Sequence, residues 1–408
     1  MNITILAIAR EKAKFFCRVA EGWKNEHSVR FLTTRYNSYR YIKHKNFQVN
    51  MLQEFYRSDV DIEEFMKFKE SAVLMERIAN LLSPKRIDQQ FALLCKGFKK
   101  YISRNEIVKF VIWNGSMLQG YTASKIADHF GISKLFFETG NLPNKLFVDP
   151  EGVNAASSLT DKDLSICSNY NEENLNNFLT EHKRKKEEMH LVPQAKKGKQ
   201  LNYFTIWDSL YNLFAQHPIL ENDYTLFDKL KRMRFANKFS IDYDNTQYGN
   251  TDYILFPLQV SIDSQLIRNS DLTTQESIDY ALNVAQEDNL ALLIKPHPAE
   301  KNKNIITYIC DLKKQHNNIY LTNQNTYQLI KHCKKLITIN STVGIEGLMY
   351  YKHVEVLGKA LYKRYCEPDL TKPINKDIVN RFLYNYLFNI LQHGSVYGCG
   401  KLTINLES

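Results

Sequence analysis

The chain has 408 residues, 44% of them apolar and 24% charged, with a formal net charge of +10. That length exceeds one ordinary hydrophobic core and predicts two domains, and the composition excludes a disordered or fibrous chain. The charge favours an anionic partner (a nucleotide, a nucleic acid or an acidic lipid surface) and says nothing about fold.

In chain order, the apolar start ITILAIA predicts a buried strand over 2–8, then a helix over 10–22 and a strand over 28–34. Arg10, Glu11 and Lys12 follow the first run directly, which does not fit a secretory signal. No run of about 18 apolar residues predicts a membrane-spanning helix. EIVKFVIWNGS (106–116) predicts a strand ending in a Gly turn, followed by a helix over 120–132 and a strand over 134–140. This βαβ rhythm predicts a parallel sheet with helices on both faces. Residues 171–200 then break the pattern, being charged and poor in aliphatics. They read as a solvated helix plus loop, with a basic membrane-facing segment as the alternative.

A second α/β series follows: strands over 252–260, 290–298, 318–323, 336–340 and 353–358 alternate with helices over 274–288, 326–335 and 341–352. An aromatic-rich helix is expected over 377–394. The seven cysteines are scattered without a CxxC pair, which argues against structural zinc or a disulfide framework and for reduced thiols in a cytosolic protein.

Open α/β sheets collect ligands at the loops after their strands. Four such loops carry unusual chemistry. In LLIKPHPAE, Lys295 and His297 leave a strand and are held rigid by Pro296 and Pro298. A lysine beside an imidazole suits a phosphate; the alternative is an ordinary strand end. In LITINSTVGIEGL, Asn340 ends a strand and Ser341–Thr342 stand where a helix N-cap belongs. Gly344 would let a ligand approach the backbone, and Glu346 would accept from ribose hydroxyls; the alternative is a plain capped helix. In FPLQVSIDSQLIRNS, Gln259 faces inward, and Asp263 is a nucleophile, a base or a cap, the cap being favoured on the residues alone. In FFETGNLPNKLFVDPEGVNAASSL, Glu138 and Gly140 precede a loop of about 18 residues holding Asp149, Glu151, Gly152 and Asn154, either functional or simply turn-rich. Asn114 and Gly115, at the end of an upstream strand, are placed to line the same cleft.

KPHP followed by NSTVGIEGLMYYKHVEVLGKALY, the Glu-x-Gly…Pro…Gly-Val-Asn block of FFETGNLPNKLFVDPEGVN, and PLQVSIDSQL together resemble the bacterial capsule polysaccharide biosynthesis proteins. These are the retaining β-Kdo glycosyltransferases of capsule lipid-linker assembly. The resemblance runs from about Trp113 to Tyr362. It implies a GT-B-type α/β fold, two Rossmann-like domains facing a cleft. The expected division is 1–235 for the acceptor domain with its charged connector, 236–375 for the nucleotide-sugar domain, and 376–408 for a C-terminal helix crossing back. It implies CMP-Kdo as donor substrate, with no cofactor and no metal. Asp263 would be the nucleophile, and Glu138 the base and acid for the acceptor hydroxyl. Lys295, His297 and Pro298 would hold the departing phosphate. Asn340, Ser341, Thr342, Gly344 and Glu346 would surround phosphate and ribose. Asn114, Gly115, Gly140, Gln259 and Asn154 would line the acceptor side.

The resemblance further implies a lysophosphatidylglycerol-type lipid or Kdo acceptor and a cytoplasmic enzyme peripheral to the anionic inner membrane. KRKK at 183–186 would suit that surface. The chain has room for one catalytic module, as in the starter type. Its first-domain block lacks the aromatic and the arginine expected between the Gly and the Pro. Two alternatives stand beside this reading: the same scaffold with another nucleotide sugar, such as a UDP-sugar or CMP-sialic acid, or a non-catalytic capsule-assembly scaffold. The basic residues are scattered and no recognised DNA or RNA module is present, which argues against nucleic acid as a partner.

Overall fold

The computed structural model describes residues 1–57, 59–79, 82–188, 208, 211, 241–244, 251–398, 400 and 402–406. The helices and strands along the chain are β1 (Asn2–Leu6), α1 (Arg10–Trp23), β2 (Ser28–Thr33), α2 (Tyr36–His44), β3 (Gln48–Met51), α3 (Lys69–Ala79), α4 (Pro84–Ser103), β4 (Lys109–Trp113), α5 (Leu118–His129), β5 (Ser133–Thr139), β6 (Lys145–Asp149) and α6 (Glu172–Glu187). They continue with β7 (Tyr253–Pro257), α7 (Ser264–Asn269), α8 (Thr274–Glu287), β8 (Ala291–Lys295), α9 (Lys303–Gln315), β9 (Ile319–Leu321), α10 (Thr326–His332), β10 (Lys335–Thr338), α11 (Val343–Met349), β11 (His353–Val356), α12 (Lys376–Tyr384) and β12 (Gln392–His393).

The chain forms two compact units. One comprises Met1–Ser158, Gln200–Phe235 and Leu391–Ser408; the other comprises Leu159–Lys199 and Ala236–Ile390. Each unit is discontinuous in sequence: Leu159–Lys199 goes with the second unit, and the residues from Leu391 go with the first.

The first unit is built on a sheet of order β12-β6-β5-β4-β1-β2-β3. Strands β5, β4, β1, β2 and β3 run parallel, as the βαβ rhythm predicts. Helix α1 forms because Ala13, Phe16, Ala20 and Trp23 recur at helical spacing, which gives it one apolar face. Phe15 and Phe16 are fully buried and meet the rings of Trp113 and Phe137 at 5.5–6.2 Å. Each such phenyl group stabilises the fold by roughly 1.5–3 kcal/mol. This packing fixes the ends of β4 and β5, where the candidate residues lie.

The loop of about 18 residues expected after Gly140 contains a further strand that closes a hairpin. Strand β6 pairs antiparallel with β5, Phe136 opposite Asp149 and Thr139 opposite Leu146. Gly140 donates its N–H to the Lys145 carbonyl at 2.8 Å, and Asn144 takes a positive φ of 58° to close the turn. The turn residues of GNLPN mask a strand that is only five residues long.

In the second unit, the sheet order is β11-β10-β7-β8-β9 and every pairing is parallel. Its core is mainly aliphatic: Ile254, Leu292, Ile294 and Ile337 are fully buried, together with Phe256. Helix α8 starts with a capping box, Thr273 and Glu276 each accepting the other's backbone N–H. The architecture is thus two Rossmann-like α/β units. The predicted C-terminal helix is shorter than 377–394: α12 stops at Tyr384, and Asn385–Ile390 form a wider π turn. Gln392 and His393 instead pair with Leu146 and Lys145 as an edge strand of the first sheet.

Candidate active site

The carboxyl edge of the second sheet gathers most of the predicted residues. Strand β7 runs into the loop that ends at Asp263, which caps α7: its Oδ1 accepts the Gln265 N–H at 2.8 Å. The cap favoured on the residues alone is therefore present. Among the described residues, no donor reaches Oδ2. Strand β8 delivers Lys295 and His297. Ala299 N–H donates to His297 Nδ1 at 3.0 Å, so the neutral ring carries its proton on Nε2. Desolvation holds the His297 pKa below the ordinary value, against the pull of Glu300 and Asp263. Lys295 donates to the Gln324 carbonyl, and burial lowers its pKa to about 8 against the pull of Glu346.

A residue that sequence reasoning missed ties these loops together. The Glu300 carboxylate accepts from Ser261 N–H (2.6 Å), Lys301 N–H (2.7 Å) and Asn302 N–H (2.7 Å). It joins the loop carrying Asp263 to the loop carrying His297. The signal was the Glu directly after KPHPA, read only as the end of the motif.

Other predicted residues serve the scaffold. Gln259 and Asn340 form a reciprocal pair: Gln259 Nε2 donates to Asn340 Oδ1 (2.9 Å), and Asn340 N–H donates to Gln259 Oε1 (3.1 Å). Asn340 Nδ2 also donates to the Gln265 carbonyl at 2.8 Å. These amides lock the loops after β7 and β10 to each other. Gly344 answers to packing within the protein: a Cβ there would overlap the Tyr362 ring, whose hydroxyl donates to the Ser341 carbonyl. Ser341 Oγ accepts the Val343 N–H at 3.3 Å. Thr342 is the N-cap residue of α11, yet its side chain makes no capping bond and is exposed. Pro298 is exposed beside His297. Glu346 sits on α11 and accepts from Tyr327 on α10 at 2.8 Å. Burial pushes its carboxyl pKa up, opposed by that hydroxyl and by Lys186 and Lys295.

The carboxyl edge of the first sheet holds Glu138 at the end of β5. Asn114 follows β4 with a positive φ of 59°, and its Nδ2 donates to Glu138 Oε2. Thr139 donates to Glu138 Oε1 through its N–H (2.7 Å) and its hydroxyl (2.8 Å). Gly115 has a φ of 78°, and a Cβ there would strike Phe136. Gly140 packs against the Lys145 backbone, with a virtual Cβ only 3.0 Å away. Sequence reasoning missed Lys12, whose Nζ lies 3.1 Å from the centre of the Trp113 ring. Burial lowers its pKa to about 8, while Glu138 and Glu11 pull it up.

The DPEGVN stretch is organised around Asp149, which is 1% exposed and accepts from Glu151 N–H (2.8 Å), Gly152 N–H (3.0 Å) and Ser157 Oγ (2.5 Å). Asn154 adopts a φ of 54° within this knot. Glu138 and Asn114 belong to the first unit; Asp263, His297 and Lys295 belong to the second. Among the described residues, no group of three His, Cys, Asp or Glu is arranged to hold a metal ion, and no helix is long and apolar enough to cross a membrane.

Two Rossmann-like units with carboxylates at their strand ends, one accompanied by an imidazole and a lysine, place the chain among the two-unit α/β proteins. The model of the capsule polysaccharide biosynthesis protein family matches residues 110–366. The chain belongs to that family. It is 25% identical over 280 residues to protein FixF of Sinorhizobium fredii (strain NBRC 101917 / NGR234), covering 67% of this chain and 54% of FixF. It is 30% identical over 119 residues to the capsule polysaccharide export protein KpsS of Escherichia coli, covering 27% of this chain and 31% of KpsS. The chain thus spans about half the length of FixF and under a third of KpsS. Among solved structures, Thermosulfurimonas dismutans KpsC, a beta Kdo 2,4 transferase, aligns at a TM-score of 0.43 and 18% identity over 70% of this chain and 80% of its own.

Proposed function

We propose that the protein is a retaining glycosyltransferase that moves β-Kdo from CMP-Kdo to a lysophosphatidylglycerol-type lipid or a Kdo acceptor in capsule linker synthesis. Family membership and the motif blocks support the substrate class. The observation that carries the mechanism is the Glu300 tie, which holds Asp263 and His297 on two adjacent loops at one sheet edge.

In the first step the Asp263 carboxylate attacks the anomeric carbon. The bond from that carbon to the phosphate oxygen breaks, and CMP leaves with the electron pair. The Nε2–H of His297 and the ammonium of Lys295 donate to the phosphate oxygens as their charge grows. In the second step Glu138 takes the proton of the acceptor hydroxyl, whose oxygen attacks the glycosyl-aspartate. The carbon–Asp263 bond breaks and the carboxylate is restored. Protein groups supply every step of this scheme, so no metal is called on. Action at the inner membrane surface belongs to the same proposal.

The test is thermal stability with CMP, UDP, GDP and ADP in parallel, followed by transfer from CMP-Kdo to a lysolipid. A ligand at about 100 times its dissociation constant adds roughly 2.7 kcal/mol of stability. A shift with CMP and product carrying β-linked Kdo is the expected result. A shift with UDP alone would replace the donor, and no shift with any nucleotide would favour a non-catalytic scaffold.

A further inference from the structure

The basic helix α6 is docked on the second unit. Its inward stripe runs Leu175, Phe178, Leu179, His182, Lys183, Lys186, at the i, i+3, i+4 spacing of an amphipathic helix. Leu175 and Leu179 are buried at its start. At its end the stripe continues with charged and polar groups. Asn325 Nδ2, in the loop after β9, donates to the Lys186 carbonyl at 2.9 Å, and the Glu187 carboxylate accepts from Tyr350 (2.8 Å) and Lys331 (2.7 Å). The first bond ties the helix end to the loop at the carboxyl edge of the sheet, and the other two tie it to the far ends of α10 and α11. The four residues of KRKK split into two faces. Lys185 and Arg184 pair with Glu181 and Glu188 on the exposed side. Lys183 lies 4.9 Å from the Tyr350 ring and Lys186 lies 5.3 Å from the Tyr327 ring. Tyr327 is the residue that donates to Glu346. His182 stacks on Phe178 and meets Tyr327 edge-on at 5.9 Å, and its Nε2 is buried without a hydrogen-bond partner among the described residues.

Two cations, Lys186 from α6 and Lys295 from β8, therefore act on the single carboxylate of Glu346, with a buried imidazole nitrogen beside them. A layer with more cationic than anionic groups, at the edge where the phosphate loop ends, suits an added anion. We propose that α6 is a wall of the donor site and that Lys186 binds an anionic phosphate oxygen of the nucleotide. This deepens the function proposed above and rests on it. It gives the inner half of the KRKK run a role in donor binding.

The test measures nucleotide binding by calorimetry for the full chain and for Lys186→Met, Lys186→Arg and Lys185→Met. The wild type is first titrated with CMP, UDP, GDP and ADP, and whichever binds is used throughout, with its nucleoside as the phosphate-free probe. Lys186→Met should weaken the nucleotide about tenfold or more and leave the nucleoside unchanged, as expected for loss of one charge-assisted hydrogen bond. Lys186→Arg should recover most of the affinity. Lys185→Met removes the same charge from the exposed face and should bind as the wild type does. Equal binding by Lys186→Met and the wild type would overturn the inference while leaving the donor reading intact. The same holds if Lys186→Met loses only its binding to phosphatidylglycerol vesicles. Binding of UDP alone would remove the CMP donor and still test Lys186. Binding of no nucleotide by the wild type would overturn both.

Discussion

The two sheet edges hold their carboxylates in opposite ways. At the first, Glu138 is surrounded by neutral donors, Asn114 and Thr139, and its nearby cation, Lys12, rests on the Trp113 ring. At the second, Asp263 keeps one oxygen on a helix cap and shares its edge with an imidazole and lysines. Hydrogen bonds from neutral groups hold a carboxylate in place. Cations and a ring N–H prepare for an anion that leaves. Under the function proposed above, the first edge carries the proton transfer and the second the departing phosphate, a division that mutations can break.

The largest effect should come from Asp263. Alanine there removes the proposed nucleophile and the helix cap together, and the cap alone is worth about 1 kcal/mol. Asparagine caps as well as aspartate, so Asp263→Asn isolates the chemistry. Transfer by Asp263→Asn should fall by roughly three orders of magnitude or more, with its melting temperature close to that of the wild type. Near-normal turnover would remove Asp263 as nucleophile and with it the contrast between the two edges.

Glu300 comes next. It accepts three backbone N–H groups from two loops, and each hydrogen bond to a charged acceptor contributes about 1.5–3 kcal/mol at most. Glu300→Ala should lower stability in urea by that order and reduce turnover, because the Asp263 loop loses its anchor. Glu300→Gln keeps an acceptor and should fall between. If Glu300→Ala turned over normally, the tie would be structural only.

Gly344 sharpens what belongs to the ligand and what to the fold. An added Cβ overlaps the Tyr362 ring, and overpacking of that kind costs about 1–3 kcal/mol. Gly344→Ala should therefore lose stability in the absence of nucleotide. A variant of normal stability with weakened CMP binding would restore the expectation that Gly344 is there to admit a ligand.

This residue also shows how far the sequence could be read. The strands at 252–260 and 290–298 were legible because apolar runs ended at turn residues, and the loops after them were legible because Lys295, His297 and Asp263 are unusual at strand ends. Contacts between distant residues were not legible. Tyr362 against Gly344, and Gln259 against Asn340, depend on which strands neighbour each other in the sheet. Helix α4 is a different case: Pro84 at its start and Ile87, Phe91, Leu94, Phe98 and Tyr101 along one face carry a full helical signal. The stripe of α6 carried one too, hidden because its last turns place His182, Lys183 and Lys186 where aliphatic residues are usual.

The smallest effect, and the one that tests the anion side most directly, is the pH dependence of CMP binding. Burial lowers the Lys295 pKa to about 8. Below that pH the ammonium is present and can donate to phosphate; above it the free protein loses the charge. A bound phosphate raises the pKa of the same lysine, so the complex keeps its proton longer than the free protein does. Between the two values binding takes up a proton, and affinity should fall by up to about tenfold per pH unit, from pH 8 upward. His297 contributes nothing to this limb, because its pKa is shifted downward and its neutral Nε2–H donates across the whole range. Calorimetric titration at pH 7, 8 and 9 in wild type and Lys295→Met checks it: the wild type should weaken with pH and the variant should be flat and weaker at pH 7. A flat wild type would mean that Lys295 stays on the Gln324 carbonyl when nucleotide binds, and that the phosphate is met without it.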